Sequence, residues 1–221
     1  MKQVIMKILP FLLLAILGCK AQNSKPSDFI PKEYIEFEKY FGDLNKDGLE
    51  DCVLITKKTD PVNIVTNRFD KKVDRNRRGI IVLFKNEKGY QIADKNYNCF
   101  SSENEDGGVY FPPELWIEIK NNKLFVHYGH GRYGYWKYTF RFQNSNFELI
   151  GYDASSNHGP IVNEITSINF LTKKKLIKEN INDNDEGGEE KFKETWSTIT
   201  IENLIKLSEI KDFDELEMYY Y

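Results

Sequence analysis

Apolar positions divide the chain into one long run near the start and many short runs after it. Residues 8–17 are apolar, with only Pro10 interrupting. A membrane-spanning helix needs roughly 20 such residues. With Lys2 and Lys7 ahead of it, the run predicts the apolar core of a secretory signal rather than a permanent span. Residues 52–56 form a short β-branched run, a strand signal. Residues 79–85 are apolar up to Lys85 and predict a strand buried on both faces. A turn at 86–89 leads to a returning strand that starts at 90–93. Residues 114–120 alternate, with Leu115, Ile117 and Ile119 on one side, and 121–123 turn the chain back into 124–128. Residues 135–142 alternate again and turn through 144–146 into 147–152. Successive hairpins predict antiparallel sheet. The expected fold class is therefore mainly β, either a sandwich or an open twisted sheet, with one further strand at 167–171. Helical spacing is seen at 202–210, where Leu204, Ile205, Leu207 and Ile210 can share a face behind Thr200 as N-cap. That predicts a short C-terminal helix. Residues 59–78 are polar and rich in basic groups, and 180–190 are acidic with glycines, so both are expected as loops. No fixed repeat period is visible, which argues against a propeller or solenoid.

The pattern implies a signal at 1–18, a polar tether at 19–28 containing Pro26, and a single β-rich domain at 29–221. Aromatic residues make up 14% of the chain, with 13 tyrosines, which suits half-buried pleated surfaces. Removing 1–18 takes away two lysines and no acid, moving the formal net charge from -3 to -5. A mildly acidic domain gives a nucleic-acid role no electrostatic support.

The apolar run ends in Ile16, Leu17, Gly18 and Cys19. This resembles the bacterial lipobox, in which a small residue precedes an acylated cysteine. The resemblance implies cleavage after Gly18, lipid on the Cys19 thiol and acylation of the new amine. Two or more chains hold a protein stably on a membrane. The implied location is the cell envelope, lipid-anchored and on the outer membrane. Cys52 and Cys99 remain, and in an exported protein they can form a disulfide or stay as separate buried thiols.

Candidate chemistry begins with Asp43, Asn45, Asp47, Gly48 and Asp51, the pattern D-x-N-x-D-G-x-x-D. Alternate oxygen-bearing side chains suit calcium, a hard cation that takes six to eight oxygens, and the Leu49 carbonyl can add one more. A polar turn with solvated carboxylates is the alternative. Loop position 12 falls on apolar Leu54, so the loop is not an EF-hand. It resembles instead the calcium loop of FG-GAP and VCBS-type β-repeats, which leads straight into a strand. That resemblance covers about residues 42–55 and implies a structural calcium ion.

Glu103, Glu105 and Asp106 form a second acidic cluster, read as a solvated loop or a ligand contact. Residues 128–136 interleave glycines with His130, Arg132, Tyr133, Tyr135 and Trp136. Glycine permits close approach to the backbone, and aromatic faces stack on sugars or flat groups. These residues form either a binding rim or a hairpin loop whose aromatics pack back on the sheet. The mature chain is similar to small Bacteroidetes-type envelope lipoproteins with a single such calcium loop followed by hairpins. That likeness implies location and fold more than activity. The expected function is a non-catalytic binding or accessory module for a glycan, peptide or envelope protein. The alternative is an envelope hydrolase using His130 with the acids at 103–106.

Overall fold

The computed structural model describes residues 24–106, 111–182 and 190–221. The expected signal, Cys19 and the first part of the tether lie outside the described residues, as does most of the acidic loop at 180–190.

Among the described residues, a four-stranded sheet is ordered β1 (Tyr34–Gly42), β2 (Asp51–Lys58), β5 (Arg78–Asn86) and β6 (Gly89–Phe100). The other large sheet is an unbroken meander of seven strands. It runs through β7 (Glu114–Lys120), β8 (Lys123–Gly129), β9 (Gly134–Gln143), β10 (Asn146–His158), β11 (Ile161–Asn169), β12 (Lys174–Asn180) and β13 (Phe192–Thr198). Every pairing in both sheets is antiparallel. The mainly β class and its successive hairpins are as expected, and the arrangement is the sandwich. Inside the supposed loop 59–78, β3 (Ile64–Thr66) and β4 (Lys72–Asp74) pair as a short ribbon.

The two large sheets share one core, and period-two alternation assigns its members. Val53, Ile55, Ile80 and Val82 meet Ile117, Val126, Tyr138 and Phe140 there. The other faces of β2 and β5 present Cys52, Leu54, Ile81 and Leu83, which Phe29, Ile30, Tyr90 and Tyr97 cover. The strand at 79–85 is thus buried on both faces, as its unbroken apolar run implies. The end of the segment expected to be a tether, just before Phe29, is itself held by the sheet. Ser24 bridges to Gly89, and Pro26–Phe29 form a 3-10 turn. The folded part therefore begins by Ser24, before Phe29.

The short C-terminal helix is present, but as separate 3-10 turns lying mostly beyond 210 rather than one α-helix over 202–210. Leu207 and Ile210 do enter the core, but on a chain whose backbone bonds to its neighbours. The Leu149 N–H donates to the Ile205 carbonyl, and Asn96 Nδ2 donates to the carbonyls of Leu207 and Ile210. β-branched Ile201, Ile205 and Ile210 have little to gain from a helix. The helical content of the C-terminal segment is three 3-10 turns, Leu207–Glu209, Phe213–Glu215 and Met218–Tyr220.

Cys52 and Cys99 are both free and buried, so the disulfide alternative fails. Cys52 faces the outer cluster of the first sheet and Cys99 the shared core. Through Leu83, Cys52 registers with Ile92, and Cys99 lies seven residues further along β6, roughly 23 Å away. Burial pushes the Cys52 thiol up to about 12 and the Cys99 thiol higher still.

Candidate functional sites at the two ends of the sandwich

The β1–β2 turn holds the acidic loop. Gly48 supplies a φ of +80°, and Lys46 sits at +70°. Asp43 accepts the N–H of Lys46 at 2.6 Å and of Gly48 at 3.2 Å. Asn45 Oδ1 accepts from Asp47 N–H at 2.9 Å, and Asp47 Oδ1 accepts from Leu49 N–H at 2.7 Å. Asp51 differs in being fully buried. Its two oxygens accept the backbone N–H groups of Leu44 at 2.8 Å and Lys85 at 3.0 Å. Burial raises the Asp51 pKa, those two N–H bonds oppose the rise, and the charges of Asp47 and Asp43 add to it.

The donor types at Asp43, Asn45, Asp47 and Asp51 suit calcium, and the strand follows at once, as in the resembling loops. The conformation is another matter. The side chains close on loop N–H groups, and Asp51 is held inward by the fold itself. Among the described residues no group of three or more Asp, Glu, His or Cys side chains is placed to hold a metal ion. The fit is therefore partial: the residues match the cation and the present arrangement is a hydrogen-bonded turn.

The aromatic segment lies at the other end. His130 N–H donates to the Gly134 carbonyl at 2.9 Å and closes the hairpin loop, inside which Tyr133 N–H donates to the His130 carbonyl at 3.0 Å and forms a 3-10 turn over Gly131–Tyr133. Gly134 has φ +109°, and a Cβ there would sit 1.9 Å from the Ser155 carbonyl oxygen, so only glycine fits. Trp136 stacks on Tyr128 at 5.2 Å between ring centroids. Trp116, opposite His127 in the register, stacks on that imidazole at 4.8 Å.

The expected rim is divided between two clefts. His130, Arg132 and Tyr133 line one of about 390 Å³ with Phe111, Glu114 and Trp116. Trp136 lines a second, of about 440 Å³, together with Tyr128, Tyr138, Tyr152 and Phe213. Pro112 belongs to both walls. Tyr135 lines neither cleft, because alternation along β9 sends it to the face opposite Trp136, where it is 41% exposed. Both volumes fall in the range of small-ligand pockets, roughly 300–1,000 Å³.

The acidic cluster at 103–106 also separates from His130. Glu105 and Asp106 line the second cleft, where Glu105 accepts from the Ser102 hydroxyl at 2.7 Å. Glu103 pairs with buried Lys57, and Asp106 with Arg75 at 2.6 Å. Sequence reasoning missed Tyr138, Tyr152, Phe213 and Asp214 as cleft residues. Alternation in 135–142 puts Tyr138 on the face of Trp136. Nothing local in the sequence connects Phe213 to either.

The chain matches no family model, no curated protein and no solved structure among those compared.

Proposed function

We propose that the chain is an exported, lipid-anchored envelope protein that acts as a non-catalytic binding module. The observation behind this reading is polarity along the sandwich. Ser24, five residues after Cys19, is fixed to Gly89 and Tyr90 at one end of the β5–β6 hairpin. Both clefts open beyond the other end, where Arg78 donates to the Ser101 carbonyl. A lipid on Cys19 would hold the Ser24 end against the membrane and turn the clefts outward. Calcium bound by Asp43, Asn45, Asp47, Asp51 and the Leu49 carbonyl would neutralise the acidic loop at the membrane-facing end. There its role would be structural. The ligand, a glycan, a peptide or an envelope protein, would meet the aromatic end.

The hydrolase alternative draws less support. His130 and the acids at 103–106 line different clefts, and Glu103 and Asp106 are engaged in ion pairs that build the local structure. The anchor is tested with Cys19→Ser in the native host under metabolic labelling with a fatty acid. Wild type should carry label in the membrane fraction, and the variant should carry none. Equal label in both overturns the proposal.

A further inference from the structure

We infer that the cleft between the sheets recognises a cationic group, an ammonium or guanidinium on an apolar stem. The inference rests on the binding-module reading and names the chemistry of one of its two clefts. The walls are aromatic on several sides, from Tyr128, Trp136, Tyr138, Tyr152 and Phe213. Glu105, Asp106 and Asp214 are at its edge, and among the described residues no lysine, arginine or histidine lines it. An aromatic face attracts a cation through its quadrupole, more strongly where water is excluded. A flat apolar stem packs on the same rings while its charged head reaches the carboxylates.

The charge along the described lining is one-sided, all carboxylate, and this separates a cation from a sugar. A sugar both donates and accepts. Three of the hydroxyl donors are already used: Ser101 hydroxyl donates to Asp214 at 2.6 Å, Ser102 hydroxyl to Glu105 at 2.7 Å, and Tyr138 hydroxyl to the Phe213 carbonyl at 3.3 Å. Each of those carboxylates has a second oxygen, and an ammonium brings three donors and no acceptor. Tyr128 supplies an independent sign. It is 3% exposed, and its hydroxyl has no hydrogen-bond partner. Leaving a buried hydroxyl unpaired costs about 1–3 kcal/mol, which an arriving N–H donor relieves. Two arginines temper the acidity. Arg75 pairs with Asp106, and buried Arg78 lies in the field of Glu103, Glu38 and Asp214. Glu105 and Asp214 are therefore the carboxylates left for a ligand.

The test is calorimetric titration of the full mature protein in detergent with Nα-acetyl-lysine amide and with its neutral isostere, Nα-acetyl-norleucine amide. Spermidine and a Gly-Lys-Gly peptide form two further arms that separate a free polyamine from a peptide side chain. The lysine derivative should bind about tenfold or more tightly than the norleucine one, and Asp214→Asn should remove that preference. Tyr128→Phe should weaken lysine binding several-fold while leaving the melting temperature equal or higher, since no partner loses a bond. Equal affinity for both amides, or no binding of any cationic probe, overturns the inference. A neutral oligosaccharide or peptide that binds where every cationic probe fails would overturn it too, yet leave the binding-module reading standing.

Discussion

The buried carboxylate of Asp51 accepts the backbone N–H of Lys85 at 3.0 Å, tying the acidic turn to a strand 34 residues away. The same side chain takes the Leu44 N–H with its other oxygen. Asp51 thus holds up the loop whether or not an ion arrives, whereas Asp43, Asn45 and Asp47 act within it. That division makes the two roles separable.

Asp51→Ala should cost about 2–4 kcal/mol without any added metal, because two N–H groups lose their acceptor in a buried place. In a domain of this size that lowers the melting temperature by roughly 4–16 °C. Asp47→Ala should cost little in the absence of calcium, since its carboxylate serves an exposed turn. It should instead remove any calcium response. For wild type, calcium at about a hundred times its dissociation constant would add about 2.7 kcal/mol. Thermal melts with chelator and with calcium check all three. A wild-type melt indifferent to calcium leaves the hydrogen-bonded turn as the whole account of the motif.

His127 provides a pH test. Burial lowers its pKa below the ordinary 6.5, and Glu118, 3.2 Å away, opposes that shift. The folded state therefore binds the proton less readily than the unfolded chain. The stability this group contributes is present above the unfolded value of 6.5 and is lost as pH falls through the lower folded value. Its imidazole proton resonance should titrate with a midpoint below 6.5. Glu118→Gln should move the midpoint further down, because it removes the group that favours the imidazolium. A midpoint that rises in Glu118→Gln contradicts this account.

The elements legible in the sequence were those with a clean period. Strands at 79–85, 114–120 and 135–142 form where alternation or an unbroken apolar run indicates them. β1 was hidden because a register shift between Glu36 and Glu38 breaks its alternation. β13 was hidden because an edge strand exposed along most of its length carries no apolar stripe to read. The C-terminal segment misled in the opposite sense. Leu204, Ile205, Leu207 and Ile210 have helical spacing, yet their core is reached by backbone bonds to β10 and the Asn96 side chain, which no local pattern encodes. The acidic loop was located correctly as a turn before a strand, while the inward role of Asp51 depends on Lys85 and was invisible. The aromatic rim was half legible: Trp136 and His130 stand close in sequence and serve different clefts.

Phe213 ties the distant C-terminal segment to both the core and the cleft. It is 1% exposed, stacks on Phe100 at 4.8 Å and meets Tyr138 edge-on at 5.1 Å. Phe213→Ala removes a large ring from a filled space and should cost about 3–5 kcal/mol. Phe213→Leu keeps most of the volume and should cost less than half of that. Chemical denaturation of both variants measures the difference. Equal stabilities would mean that the segment is not packed as described.

The orientation of the domain on a membrane can be tested through the short link ahead of Ser24. Ser24 hydroxyl donates to the Tyr90 carbonyl at 2.7 Å and accepts the Tyr90 N–H at 2.8 Å, so this residue is held from two directions. Five residue steps separate it from Cys19, a reach of roughly 18 Å at full extension. Lipid on Cys19 would therefore keep the β5–β6 turn near the bilayer. β5 spans nine residues, which places the opposite end of the sandwich roughly 30 Å further out. Fluorophores attached at Lys88→Cys and at Glu215→Cys report on the two ends, both of these side chains being exposed. Labelling should be selective, because Cys52 and Cys99 are buried with raised thiol pKa values. In vesicles carrying an acceptor lipid, energy transfer should be strong from position 88 and several-fold weaker from position 215. Ser24→Ala removes the clasp and should narrow that contrast. Equal transfer from the two positions in the wild-type background would mean that the domain does not stand on its Ser24 end.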